Sequence, residues 1–142
     1  MKSKNYFKEM LKGAELKSTK HRITILEILK ENKLPLSAED IYIKLKQNDI
    51  SISLSTVYRV LETLHKKDIV AKVNIPDDSK AAYELYNNEH HHHLLCVKCR
   101  KILAVEGCPL EEYEKFLENR FGFTVKGHNL EVYGYCNSCT GY

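Results

Sequence analysis

Apolar residues in the first half of the chain recur at helical spacing. In "KHRITILEILKEN" Ile25, Leu26, Ile28 and Leu29 gather on one side, and Asn32, Lys33 and Pro35 close the segment. "LSAEDIYIKLKQ" opens on Ser37 as N-cap with Asp40 three residues on, a variant of the capping box, and presents Ala38, Ile41, Tyr42 and Leu45 as its apolar face. "SLSTVYRVLETLHKKDIV" starts at Ser53 or Ser55 and repeats Val57, Val60, Leu61 and Leu64. The short link "NDISIS" between the last two predicts a helix-turn-helix. The period then changes: "IVAKVNI" and "AAYELY" alternate around the turn-rich "PDDSK", which predicts a β-hairpin. A helix-turn-helix followed by a hairpin is the layout of a winged helix.

Beyond Tyr86 the pattern predicts strand, strand, helix, strand. "HHLLCVK" and "KILAVEG" are short strands, and "CPLEEYEKFLENRFG" is a helix with Pro109 in its first turn and Gly122 as its stop. "TVKGHNLEVYGYC" alternates again. The fold class is α+β: a winged helix-turn-helix over residues 1–86, then a small α/β domain over residues 87–142. A unit of about 55 residues is too small to be stable without a metal or a partner subunit.

Charge divides along the same line. Residues 1–67 carry 14 Lys and Arg against 8 Asp and Glu, a net of +6; residues 68–142 carry 8 against 11, a net of −3. A basic half joined to an acidic half is expected where one part meets a polyanion. No run of about 18 apolar residues is present, so no helix is expected to span a membrane. "MKSKNYFKEMLKGAELK" lacks the apolar core of an export signal, so the expected location is cytoplasmic. There, stable disulfides are rare and cysteines bind metals or do redox work.

Two motifs carry the chemistry. Cys96 and Cys99 form one CxxC pair, Cys136 and Cys139 another, with 36 residues between them. Four thiolates are the number that a closed tetrahedral zinc site requires, and two pairs favour structural Zn2+ over redox dithiols. Cys108, beside Pro109, is the odd cysteine and reads as a small buried or helix-capping residue. Ahead of the first pair stands "HHHH", His90 to His93. On a strand, alternate histidines face opposite ways, giving the pairs His91/His93 and His90/His92, each able to chelate one divalent ion. Glu84, Glu111 and His128 are the candidate co-ligands, and carboxylates beside imidazoles suit an exchangeable ion. In the second helix of the helix-turn-helix, Ser55, Thr56, Tyr58 and Arg59 occupy the N-terminal turns that such motifs offer to the major groove. Neither a zinc hydrolase nor a metal-storage protein fits as well: no HExxH helix is present, and storage does not need a basic N-terminal half.

"SAEDIY", "STVYRVLETL", "HHHHLLCVKC" and "GHNLEVYGYCNSC" together resemble the ferric uptake regulator family of metal-responsive repressors over nearly the whole chain. The resemblance implies a non-enzymatic regulator of zinc- or iron-uptake genes. It further implies a homodimer on a palindromic DNA operator, with residues 87–142 as the dimerisation domain. Residue by residue, it implies structural zinc at Cys96, Cys99, Cys136 and Cys139, and DNA contacts from Lys17, Tyr58 and Arg59. A regulatory ion (Zn2+ or Fe2+, with Mn2+ acceptable) is implied at Glu84, His91 and His93, at the hinge between domains. A second metal is implied at His90, His92, Glu111 and His128. The chain departs from iron- and peroxide-sensing members at Pro35, where they carry a histidine, and at Ala104, where they carry an acidic residue, with Glu106 nearby. It also lacks the cysteine that zinc uptake regulators carry near Leu85 or Tyr86. The resemblance thus leaves zinc ahead of iron and makes a peroxide-responsive regulator the alternative.

Overall fold

The computed structural model describes residues 2–74, 80–86 and 91–140, and for residues 2, 3 and 91 the backbone alone. The chain divides into two compact units, Met1–Tyr86 and Asn87–Tyr142. The first runs α1 (Lys2–Gly13), α2 (Lys20–Glu31), β1 (Leu36–Ser37), α3 (Ala38–Gln47), α4 (Leu54–Lys66), β2 (Val70–Asn74) and β3 (Ala81–Leu85). The second runs β4 (His91–Cys96), β5 (Ile102–Glu106), α5 (Glu111–Phe121) and β6 (Glu131–Gly134).

Side-chain caps open three of the helices. Thr19 accepts from Arg22 N at α2, and Ser53 accepts from Thr56 N at α4. At α3, Ser37 and Asp40 complete the expected capping box from both sides. Three helices also close alike. Leu16 N donates to Leu11 O at 2.8 Å, Ile50 N to Leu45 O at 3.0 Å and Ile69 N to Leu64 O at 3.0 Å. The residue before each apolar donor, Glu15, Asp49 or Asp68, has φ between 57° and 60°. These are Schellman ends, in which an apolar residue beyond the helix returns to the last buried leucine.

Two elements of this unit go beyond the sequence pattern. One is α1, whose Phe7 and Leu11 are fully buried. It packs on α2, and its lysine-rich sequence hides a period that only this tertiary contact makes visible. The other is β1, which adds Leu36 and Ser37 to β3 opposite Tyr83 and Ala82 and makes a three-stranded sheet in the order β1-β3-β2. β2 and β3 pair antiparallel from Val70↔Leu85 to Asn74↔Ala81, as a wing does. The tip of the predicted hairpin, residues 75–79, lies outside the described residues. The core cluster of buried apolar side chains, from Phe7 to Tyr83, lies wholly in this unit.

In the second unit β4 is the central strand, antiparallel to β5 and parallel to β6. Gly122, with φ 61°, ends α5 where the sequence predicts. β6 is shorter than the alternation predicts: residues 124–130 run without regular structure. Among the described residues the buried set is small and unusual: Leu95, Cys96, Cys139, His92 and His93. Leu94, Leu103 and Val132, which share one face by register, stand open, as do Phe116, Phe121, Phe123 and Tyr135.

Candidate metal centres and nucleic-acid face

Cys96 ends β4, Cys99 closes the turn after it, and Cys136 and Cys139 follow β6, the parallel neighbour of β4. Strand pairing therefore brings the two CxxC pairs together although 36 residues separate them. All four Sγ atoms lie within 4.8 Å of one another. Cys99 and Cys136 are 3.6 Å apart, close to the edge of a tetrahedron with Zn–S bonds of 2.3 Å, which is about 3.8 Å. None of the four is in a disulfide.

Backbone N–H groups point at the site. Cys136 N and Cys99 N donate to Cys96 Sγ at 3.4 and 3.5 Å, and these donors pull the Cys96 thiol down to about 5. Cys139, hydrogen-bonded to Cys136 and buried, is pushed up to about 12. Four thiolates so close repel one another, so the set is stable in full only around a cation that neutralises them. The donors present fit a structural zinc.

A second group forms at the start of β4. His92 is buried, and its Nε2 lies 3.3 Å from Nε2 of His128, with the rings stacked at 5.1 Å between centroids. Cys108 Sγ lies 3.2 Å from the same His128 nitrogen. Glu114 Oε1 receives a short hydrogen bond from His128 Nδ1. The ligand atoms of His92, Cys108 and His128 all fall within 4.8 Å of one another.

Of the set that the resemblance implies for a second metal, His92 and His128 lie side by side, whereas Glu111 does not join them. Glu111 is exposed at the start of α5 and is not part of the group; Cys108 stands there instead, and Glu114, one helical turn on, holds His128. Cys108 escaped the pattern because its partner is 20 residues away and meets it through tertiary folding. The available signal was an unassigned cysteine fixed by a following proline. His90, expected in the same set, lies outside the described residues, as does the side chain of His91. His93 is buried on β4, and Glu84 sits on β3 of the first unit opposite Ala71.

On the first unit, Ser55 and Arg59 are exposed near the N-terminal end of α4, with Thr56 and Tyr58 half-buried. Thr56 Oγ1 and Ser53 Oγ are 2.8 Å apart, and Tyr58 donates its hydroxyl to Glu39 at 2.6 Å. Tyr58 thus ties α4 to α3, a contact that the sequence does not reveal. Lys17 is exposed in the link between α1 and α2, where its carbonyl accepts from the Arg22 guanidinium at 3.1 Å.

Residues 13–133 match the model of the ferric uptake regulator family. The chain belongs to that family. It is 36% identical over 138 residues to the ferric uptake regulation protein of Bacillus subtilis, covering 94% of this chain and 92% of that protein. It superposes on the Vibrio cholerae ferric uptake regulator with a TM-score of 0.79 at 33% identity, covering 91% of this chain and 98% of the other. With the Helicobacter pylori regulator, whose structure is described as revealing three functional metal binding sites, the TM-score is 0.81 at 25% identity, covering 97% and 91%. The ferric uptake regulator match ends at Tyr133, before the second cysteine pair. For Cys136 and Cys139 the case for zinc therefore rests on the geometry around Cys96.

Proposed function

We propose that this chain is a metal-responsive transcriptional regulator that represses metal-uptake genes by binding a palindromic DNA operator as a homodimer. The observation that carries the proposal is the pairing, in one chain of this family, of a basic helix-turn-helix unit with a second unit built around metal-ligand side chains. Lys17, Ser55, Thr56, Tyr58 and Arg59 are the proposed DNA-contacting residues. Arg59 is suited to guanine or phosphate, and the exposed Lys17 to the phosphate backbone.

Homodimerisation through residues 87–142 is supported by the open apolar side chains of that unit. Leu94, Leu103 and Val132 on one sheet face, with the phenylalanines around α5, are exposed apolar side chains of the kind that mark an interaction surface. A two-fold dimer would present two α4 helices to two half-sites.

The proposed regulatory ion is divalent, zinc or iron, held by Glu84, His91 and His93. These residues belong to different units, so a shared ion couples metal supply to the orientation of the DNA-binding unit. To move such an equilibrium from 1:99 to 99:1 the ion must favour the active form about 10⁴-fold, roughly 5.5 kcal/mol, within reach of two imidazoles and a carboxylate. Pro35 removes one further imidazole, which weighs against a peroxide-sensing iron centre. The deciding experiment is operator binding titrated against each free divalent ion at fixed salt. Affinity should rise steeply with one ion and collapse in a chelator that leaves the structural zinc bound. Affinity unchanged in that chelator overturns the proposal.

A further inference from the structure

We infer that Cys108 is a metal ligand: with His92 and His128 it forms a thiolate-bis-imidazole site for a soft divalent ion of the zinc class, with Glu114 as the positioning residue behind His128. This deepens the metal-responsive reading by naming a ligand set, and thereby a metal preference, that differs from the one the family resemblance implies. Three observations converge. The two Nε2 atoms are 3.3 Å apart, the edge of a tetrahedron with Zn–N bonds of about 2.05 Å, which is about 3.3 Å. Cys108 Sγ faces the same His128 nitrogen at 3.2 Å. His128 Nδ1–H donates a hydrogen bond to Glu114, which leaves the Nε2 lone pair directed at His92 and Cys108. This is the carboxylate–histidine arrangement that fixes tautomer and ring orientation at metal sites.

The backbone holds the thiol in place. Gly107, with φ 87°, turns the chain at the end of β5. Pro109 then restricts Cys108 to extended conformations. A thiolate with two imidazoles favours zinc and disfavours manganese, whereas Glu111 in the place of Cys108 would have made the set harder and friendlier to iron. Three donors are the number used by exchangeable zinc sites, which keep one further position for water or another ligand.

The chain has five cysteines, four of them in the Cys96 site, so any thiolate bound to a second ion belongs to Cys108. The test uses full-length protein carrying one zinc per chain, verified by metal analysis, titrated with cobalt(II). Expected is a cobalt equivalent with a single-thiolate charge-transfer band, bound without zinc release. Cys108→Ser should abolish the band and weaken cobalt binding at least 10-fold. Glu114→Gln should keep the band while weakening binding about 10-fold. Glu111→Gln should change neither. Zinc added to the parent protein should protect one thiol from alkylation, which checks the assignment even where Cys108→Ser folds poorly. Absence of the band, or loss of the site in Glu111→Gln but not in Cys108→Ser, overturns the inference. These readouts involve no DNA, so their failure is distinct from failure of operator binding.

Discussion

Glu62 and Gly107 show how single positions set local stability. Buried Tyr83 donates its hydroxyl to Glu62 at 2.9 Å and Lys72 reaches the same oxygen at 3.1 Å, and these hydrogen bonds hold the Glu62 carboxyl below its usual range. A carboxylate lowered in the folded state contributes stability above its unfolded pKa and loses it as pH falls through the folded value. The Glu62 side chain is 43% exposed, so the contribution is screened to below about 1 kcal/mol. Urea unfolding should show Glu62→Gln less stable than the parent at pH 7, by a margin that is smaller at pH 3. Equal stability at both would remove the hydrogen bonds from the account. At Gly107 an added Cβ meets nothing within 4 Å, so the cost of a side chain there is backbone strain alone. Gly107→Val should cost about 1–2 kcal/mol, read as a lower melting temperature. It should also displace Cys108 while leaving the Cys96 site filled.

Among the elements, the starts of α3 and α4 and the end of α5 are legible in the sequence, and the ends of α1, α3 and α4 are not. Ser37, Asp40 and Ser53 announce α3 and α4 by side-chain chemistry that is local in sequence. Gly122 announces the end of α5 in the same way. The Schellman ends at Glu15, Asp49 and Asp68 carry no glycine, so the left-handed turn is imposed by burial of Leu16, Ile50 and Ile69, which no local pattern displays. Glu15→Gly should therefore stabilise the first unit by about 0.5 kcal/mol: relief of left-handed strain outweighs the added freedom of the unfolded chain. Thermal unfolding checks the sign. The candidate site divides likewise. The CxxC pairs follow from residue type and spacing and the His92–His128 grouping from the family resemblance, whereas Cys108 and Glu114 depend on how β5, the Gly107 turn and α5 fold back. For α4, Arg59→Ala should weaken operator binding by about 1–3 kcal/mol while leaving zinc content unchanged, measured by titration at fixed salt.

At the scale of the whole molecule, the two units differ in what holds them. The first buries a continuous apolar cluster from α1 to β3, sufficient for a domain of its size. Among its described residues the second buries Leu95 with two cysteines and two histidines, so its interior is largely made of side chains able to bind a metal. For such a unit metal binding free energy is folding free energy, and removing the ion leaves close-packed thiols with little apolar burial to offset chain entropy. A chelator strong enough to strip the Cys96 site should therefore melt residues 87–142 and leave residues 1–86 cooperatively folded. Hydrogen exchange resolved along the chain would show protection lost in β4, β5 and β6 and kept in α2, α3 and α4. Because dimerisation is proposed to lie in the same unit, sedimentation should show monomer in step with that loss, and operator affinity should fall even though Arg59 and its helix remain folded. Loss of protection across both units at once would mean that the first unit depends on zinc as well, and that its own core is insufficient.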